Sequence, residues 1–146
     1  MKRIIYFIAF FLLSVTIKIQ AQVYQTSSHT EQIRTLTVYS GGDWTSIPVI
    51  QTGTDNFIEV SFDELSHENK RLAYRIIHCN ADWKKSDMNE LEYLDGFPEN
   101  DIEDGEQSIS TLTLYTHYKF SLPNEKVQLK LSGNYAVEVY DRDGSG

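Results

Sequence analysis

The 146-residue chain carries 13 basic and 21 acidic residues, which gives a formal net charge of −8, and its length suits a single domain. This acidic excess argues against binding to nucleic acid or to anionic membrane surfaces, since both require basic patches. The sequence contains one cysteine, so no disulfide can form within the chain. A hydrophobic core must therefore hold the domain together.

The N-terminus has the pattern of a secretory signal peptide, which we assign to residues 1–21. Lys2 and Arg3 precede an apolar stretch over residues 4–13, and we expect cleavage after Ala21. Cleavage there removes three of the 13 basic residues, leaving 10 against 21 acidic ones and a formal net charge of −11. A retained membrane anchor is the alternative, but the apolar stretch is short for a bilayer span. The pattern predicts an exported protein.

Apolar and polar residues alternate with the period of β-strands in most of the remaining chain. Turn residues separate the strands at short spacing, and no long helix is predicted. This pattern is typical of an all-β protein, and we predict an antiparallel, immunoglobulin-like β-sandwich over residues 33–141. An extended lead-in (22–32) precedes the sandwich, and a truncated turn (142–146) follows it. The predicted strands cover residues 33–39, 47–51, 57–62, 72–79, 108–121, 127–131 and 135–139.

Three shorter features complete the predicted architecture. Residues 63–70 form a charged connection that we predict to contain one helical turn. Residues 132–134 contain glycine and predict a hairpin loop between the last two strands. The strand over residues 72–79 is apolar on both faces, so we expect it to be central and covered on both sides. The predicted core residues are Ile58, Val60, Cys79, Leu114 and Val137.

Residues 84–107, hereafter the acidic segment, hold nine of the 21 acidic residues and several large apolar ones. A segment this apolar is unlike a disordered tail, so we predict one long ordered loop with a short strand or turn inside it. Long ordered loops on β scaffolds often bind partners, and aromatic residues often anchor such contacts. Calcium, which prefers carboxylate oxygens, is a weaker alternative ligand. The predicted contact residues are Trp83, Tyr93, Asp95 and Phe97.

The spacing of potential catalytic residues does not predict a reaction centre. His78 and Cys79 are neighbours in a strand, so their side chains point to opposite faces. The four histidines are scattered without the spacing of a metal site. We therefore predict no catalytic residue, cofactor, metal site or small-molecule substrate, and an exported hydrolase ranks last. A carbohydrate-binding or adhesion module remains open, because aromatic residues including Trp83, Tyr93, Phe97, Tyr115 and Tyr118 could stack on sugars.

Four sequence blocks are more specific than these general patterns. They are HCNADW (78–83), EYLDGF (92–97), LYTHYKFSLPNE (114–125) and LSGNYAVEVY (131–140). In this order, within residues 32–143, they resemble the N-terminal domain of the type IX secretion system plug proteins. The resemblance implies a periplasmic, non-enzymatic protein associated with the outer membrane, which closes the translocon barrel of that system when it is not exporting. It also implies that relatives continue beyond this domain.

Overall fold

In a computed structural model of the protein, the described residues are 22–66, 68 and 70–144. The predicted signal peptide, residues 1–21, therefore lies outside the described residues. The described part contains nine strands and one short helix. In chain order these are β1 (Ile33–Ser40), β2 (Ile58–Glu64), β3 (Leu72–Cys79), α1 (Glu90–Tyr93), β4 (Leu94–Gly96), β5 (Glu99–Asp101), β6 (Asp104–Gln107), β7 (Thr116–Leu122), β8 (Val127–Leu129) and β9 (Asn134–Asp141).

The strands form antiparallel sheets, and the two larger sheets face each other. The order is β1-β2-β7-β6 in one and β5-β3-β9 in the other, while β4 pairs with β8. Tyr74 of β3 stacks on Phe120 of β7 with ring centroids 4.5 Å apart, so the main core lies between the two larger sheets. This arrangement confirms the predicted all-β, antiparallel sandwich.

Aromatic residues dominate the space between the sheets. Phe62 of β2 lies opposite Tyr118 of β7 in the strand register, and their rings stack with centroids 5.5 Å apart. Tyr74 is 2% exposed, and its hydroxyl oxygen accepts a hydrogen bond of 2.8 Å from Nδ2 of Asn124. Each ring buries a large apolar area, while the polar end of Tyr74 keeps a partner. The core is therefore both apolar and satisfied in its hydrogen bonding.

The outer face of β3 is covered as well, as the sequence predicts. Ile77 and Cys79 of β3 form a small buried cluster with Ala136 of β9, and Tyr24 from the N-terminal lead-in packs against it. Burial, with a hydrogen bond to Glu138, raises the pKa of Tyr24 to about 12. Burial also raises the pKa of the Cys79 thiol. The lone cysteine is therefore largely protonated at neutral pH and shielded from solvent.

A buried ion pair joins the end of β2 to the start of β3. Lys70 Nζ lies 2.8 Å from Oε1 of Glu64, and Glu64 is only 1% exposed. The backbone N–H and the hydroxyl of Ser66 donate to Oε2 of the same carboxylate, at 3.0 and 2.6 Å. Lys70 Nζ also donates to the side chain of Gln32 just before β1. We call this end of the sandwich, defined by Glu64 and Lys70, the ion-pair end.

The small β4–β8 sheet depends on a close approach of two backbones. Gly96 in β4 has φ of +111° and pairs with Val127 in β8. A Cβ atom on Gly96 would collide with the carbonyl oxygen of Lys126. Position 96 therefore requires glycine for two reasons, the positive φ angle and the lack of space for a side chain.

Two predicted local structures in the first half of the chain are wrong. Residues 47–51 form no strand; Ile47 and Val49 are 73% and 68% exposed because no neighbouring strand covers them. The described residues between β2 and β3 form no helical turn. Ser66 in this connection uses its hydroxyl to donate a hydrogen bond to the Glu64 carboxylate.

Two further predictions fail in the second half. The strand predicted over residues 108–121 begins only at Thr116, because Ser108 and Tyr115 bond to each other and close a loop between them. The predicted hairpin around residues 132–134 is absent from the described chain, since β8 pairs with β4 whereas β9 pairs with β3. Both errors arose because alternation and turn residues along the sequence do not reveal which strands are neighbours.

The predicted core residues fall into three groups. Val60 and Cys79 are 6% and 2% exposed, respectively. Ile58 is half-buried, and Val137 is a half-buried residue that packs against the main core. Leu114 is not a core residue, because it lies in the loop before β7 and is 40% exposed.

The Glu64–Lys70 pair predicts a specific loss of stability in acid. Burial alone would raise the pKa of Glu64, but the hydrogen bonds from Lys70 and Ser66 outweigh it and lower that pKa. This stabilisation is present above the ordinary glutamate pKa of about 4.3 and is lost as the pH falls through the lower folded-state pKa. The Glu64→Gln substitution should lower the free energy of unfolding by about 3 kcal/mol at pH 7. It should also show a shallower loss of stability between about pH 5 and pH 3.

Urea unfolding at a series of pH values measures both effects. Glu103→Gln is the matched control, because Glu103 also pairs with a lysine, Lys126, at 2.7 Å but is an exposed residue. The control should change stability little at either pH. Equal behaviour of the two variants would contradict the structural importance of the buried pair.

The close approach at Gly96 predicts a second stability difference. Gly53→Ala introduces only the strain of a side chain at positive φ, since a Cβ there meets nothing within 4 Å. That substitution should cost about 1–2 kcal/mol. Gly96→Ala carries similar strain plus the collision with Lys126, so it should cost at least about 1 kcal/mol more. Urea unfolding of both variants compares the two costs, and equal losses would show that β4 and β8 do not approach so closely.

Candidate partner-binding surface

The acidic segment is organised differently from the single long loop that the sequence predicts. It contains α1, β4, β5 and β6. Asn89 caps α1 by accepting a hydrogen bond of 3.0 Å from the N–H of Leu91, while the Glu92 carboxylate accepts one of 2.7 Å from the N–H of Asn89. This reciprocal capping satisfies N–H groups that a single helical turn would otherwise leave unpaired. The segment is thus a chain of short elements attached to the sandwich.

Tyr93 is a core residue and not a contact residue, contrary to prediction. Its side chain is 2% exposed, and its ring lies 5.5 Å from His78 and 6.1 Å from Tyr135 between centroids. Its hydroxyl donates to the carbonyl oxygen of Ile76 at 3.4 Å. Leu94 next to it is also 2% exposed. An aromatic residue in an acidic stretch looks the same in sequence whether it anchors the segment inward or projects outward.

Phe97 projects outward from a backbone that is fixed on several sides. The Phe97 side chain is 71% exposed. Its N–H donates to the carbonyl oxygen of Lys126 at 3.2 Å, and its own carbonyl accepts a hydrogen bond of 2.8 Å from Nδ2 of Asn100. The carbonyl of Pro98 accepts from the N–H of Ile76 in β3 at 3.0 Å. Phe97 is therefore an exposed aromatic side chain that loses little backbone freedom on binding, a property that favours contact residues.

Asp95 and Trp83 are also exposed, but they occupy different elements. Asp95 lies in β4 opposite Gln128 of β8. Trp83 is 44% exposed and occupies a turn after β3 with φ of +59°. Its N–H donates to the carbonyl of Asn80, and its carbonyl accepts from the N–H of Tyr24. Phe97 is next to the middle of β3, whereas Trp83 follows the end of that strand, so the two aromatic residues sit at different levels along β3.

Four of the nine acidic residues of the acidic segment form ion pairs within the chain. Arg75 in β3 binds Glu138 of β9 and lies 3.8 Å from Oε1 of Glu99. The Tyr140 hydroxyl donates to the same Glu99 carboxylate at 3.0 Å. A groove of about 400 Å³ on this face is lined by Arg75, Glu99, Tyr140, Asp141 and Arg142. The acidic residues of the segment that form ion pairs are Glu99 with Arg75, Asp101 with Arg142, Glu103 with Lys126 and Asp104 with Lys119.

Residues that could bind a metal ion and helices that could cross a membrane were sought in the described part of the chain. In residues 22–66, 68 and 70–144, no group of three or more His, Cys, Asp or Glu side chains is arranged to hold a metal ion. No helix in that part of the chain combines the length and the apolar character needed to cross a membrane.

Several exposed apolar residues lie outside the predicted contact set. Trp44 is 80% exposed in the connection between β1 and β2, and Leu112 is fully exposed before β7. Leu112 lies within the strand predicted over residues 108–121, where alternation places it on an apolar face, whereas Trp44 lies between two predicted strands. Glycine and serine residues around them were the available signal for turns: Gly41 and Gly42 precede Trp44, and Ser110 precedes Leu112.

Comparisons with known proteins agree with the resemblance noted in the sequence. The crystal structure of a hypothetical protein from Parabacteroides merdae ATCC 43184 is similar to this chain, with a TM-score of 0.81 and 43% identity. The similarity covers 84% of this chain but 31% of that one, so this chain spans about a third of the length of the solved relative. No curated protein matches the chain significantly. The family model described as the type 9 secretion system plug protein 1st domain matches residues 33–145, and the chain belongs to this family.

Proposed function

We propose that this domain helps to close the outer-membrane translocon barrel of the type IX secretion system, from the periplasmic side, when the barrel is not exporting. The observation that carries the proposal is the family match over residues 33–145, nearly all of the described chain. The domain acts by occupying space and not by transforming a substrate. Closing a pore requires a rigid domain. Packing against both faces of β3 gives the sandwich this rigidity.

The contact surface in this proposal is the exposed part of the acidic segment and its border. Phe97 is the principal anchor, because it combines 71% exposure with a backbone held on both sides. Trp83 and Asp95 extend the surface. Ion pairing within the chain leaves the surface less negative than its composition indicates, so apolar contact contributes more than charge.

A carbohydrate-binding module finds less support in the same residues. The aromatic platform that such a function requires would include Tyr93 and Tyr118, which are 2% and 4% exposed and belong to the core. Stacking on a sugar needs an accessible ring face. We therefore propose a protein partner and not a carbohydrate ligand.

The pull-down of the translocon barrel from outer membranes tests this function directly. The wild-type full-length protein should recover the barrel, and the double variant Phe97→Ala, Trp83→Ala should recover at least about tenfold less, as expected for loss of aromatic anchors. Trp44→Ala is the matched control, since Trp44 is 80% exposed on a different connection. This control should leave recovery unchanged.

Two outcomes of the pull-down distinguish a failure of the proposed function from a failure of the proposed contact surface. Absence of the barrel from the wild-type sample would refute the plug function itself. Recovery that depends on Trp44 but not on Phe97 and Trp83 would keep the function and move the contact surface to the β1–β2 connection.

A further inference from the structure

The loop between β6 and β7, residues 108–115, has a fixed shape; we call it the β6–β7 loop. The N–H of Ser108 donates to the carbonyl of Tyr115 at 2.8 Å, and the N–H of Tyr115 donates to Oγ of Ser108 at 2.9 Å. Inside the loop, the Thr111 hydroxyl donates to the carbonyl of Thr113 at 2.7 Å. These bonds close the base of the loop and brace its tip.

This braced loop presents apolar side chains to solvent. Ile109 is 86% exposed, Leu112 is fully exposed and Leu114 is 40% exposed. A single exposed leucine needs no explanation, since folded proteins expose much apolar surface. Three large aliphatic residues within one short, hydrogen-bonded loop form a local patch of the kind that marks a contact site.

The base of the β6–β7 loop lies at the ion-pair end of the sandwich. Thr116, the first residue of β7, pairs with Gln107, the last residue of β6, and with Glu64, the last residue of β2. Glu64 in turn binds Lys70, two residues before β3 begins. The loop therefore rises from the end at which β2 finishes and β3 starts.

The last strand, β9, also finishes at the ion-pair end of the sandwich. Asp141, the final residue of β9, pairs with Leu72, the first residue of β3. The N–H of Arg142 then donates to the carbonyl of Arg71 at 2.9 Å, next to Lys70 of the ion pair. Polypeptide that continues beyond β9 would thus leave the domain at the same end of the sandwich as the base of the β6–β7 loop.

The solved relative contains polypeptide beyond the part that matches this chain. The matching family model describes a first domain, and this chain spans only 31% of the solved relative, at 43% identity. A following domain joined by a short connection would meet the loop at high effective concentration, which favours an intramolecular contact over an equally apolar separate partner.

We propose that the β6–β7 loop is the docking surface for the polypeptide that follows residue 146 in the full-length protein. Ile109 and Leu112 insert into an apolar site on that following domain, and Leu114 borders the contact. The contact fixes the orientation of the two domains, since a short connection and an apolar interface together limit their relative motion. This interface is distinct from the proposed translocon surface around Phe97 and Trp83.

Cysteine labelling of the full-length protein without the translocon tests the proposal. Leu112→Cys and, as the matched control, Ile47→Cys each place a thiol at an exposed aliphatic position; Ile47 is 73% exposed in the connection at the opposite end of β1 and β2. Native Cys79 contributes little background, because it is 2% exposed. The rate of maleimide labelling is normalised to the rate for the same variant in denaturant.

The Leu112→Cys thiol should react at least about tenfold more slowly than the Ile47→Cys thiol, because labelling requires the docked domain to open. Equal rates would overturn the proposal. Protection that disappears on dilution would assign the loop to a second copy of the chain, and protection that appears only after adding the translocon barrel would assign it to that partner. Both outcomes would also overturn the proposal, and neither depends on the pull-down result for Phe97.

Discussion

The fold depends on β3 having a hydrogen-bonded neighbour along both edges. β9 pairs with all eight residues of β3 on one side. On the other side the acidic segment provides β5, the Pro98 carbonyl that accepts from Ile76, and the Ile102 N–H that donates to the Leu72 carbonyl. Buried backbone groups without partners are costly, so a central strand with Tyr74 and Ile76 in the core cannot leave one edge open. The acidic segment is ordered because it forms the hydrogen bonds along this edge of β3.

That requirement links the most charged part of the sequence to the most buried strand. Tyr93, Leu94 and Ile102 point into the core and hold the segment at three places. Phe97 lies between these buried positions and is turned outward by the sharp backbone at Gly96. The same packing that completes the sandwich therefore creates a rigid, exposed aromatic residue on its surface. The proposed closing of a pore would benefit from such a surface, because a mobile loop would lose conformational entropy on every contact.

Local patterns in the sequence predicted the elements whose structure depends on local interactions. The alternation in residues 72–79 was sufficient for β3, and the turn residues after it marked its end correctly. Position within the sheets was harder, because β8 and β9 alternate in the same way but join different sheets. The inward or outward direction of Tyr93 and Leu114 also could not be read, since it depends on the neighbouring strands. Of the predicted contact residues, Trp83, Asp95 and Phe97 lie at the surface, whereas Tyr93 lies in the core.

Residue-resolved amide hydrogen exchange tests most directly whether the acidic segment is an integral edge of the β3 sheet. The amides of Ile76 and Ile102, which join β3 to the acidic segment, should exchange as slowly as amides that join β3 to β9. The amide of Lys130, which donates to the Tyr93 carbonyl, should be protected to a similar degree. Fast exchange at these three amides, with protection retained between β3 and β9, would show that the segment is a loosely attached loop and would contradict the account.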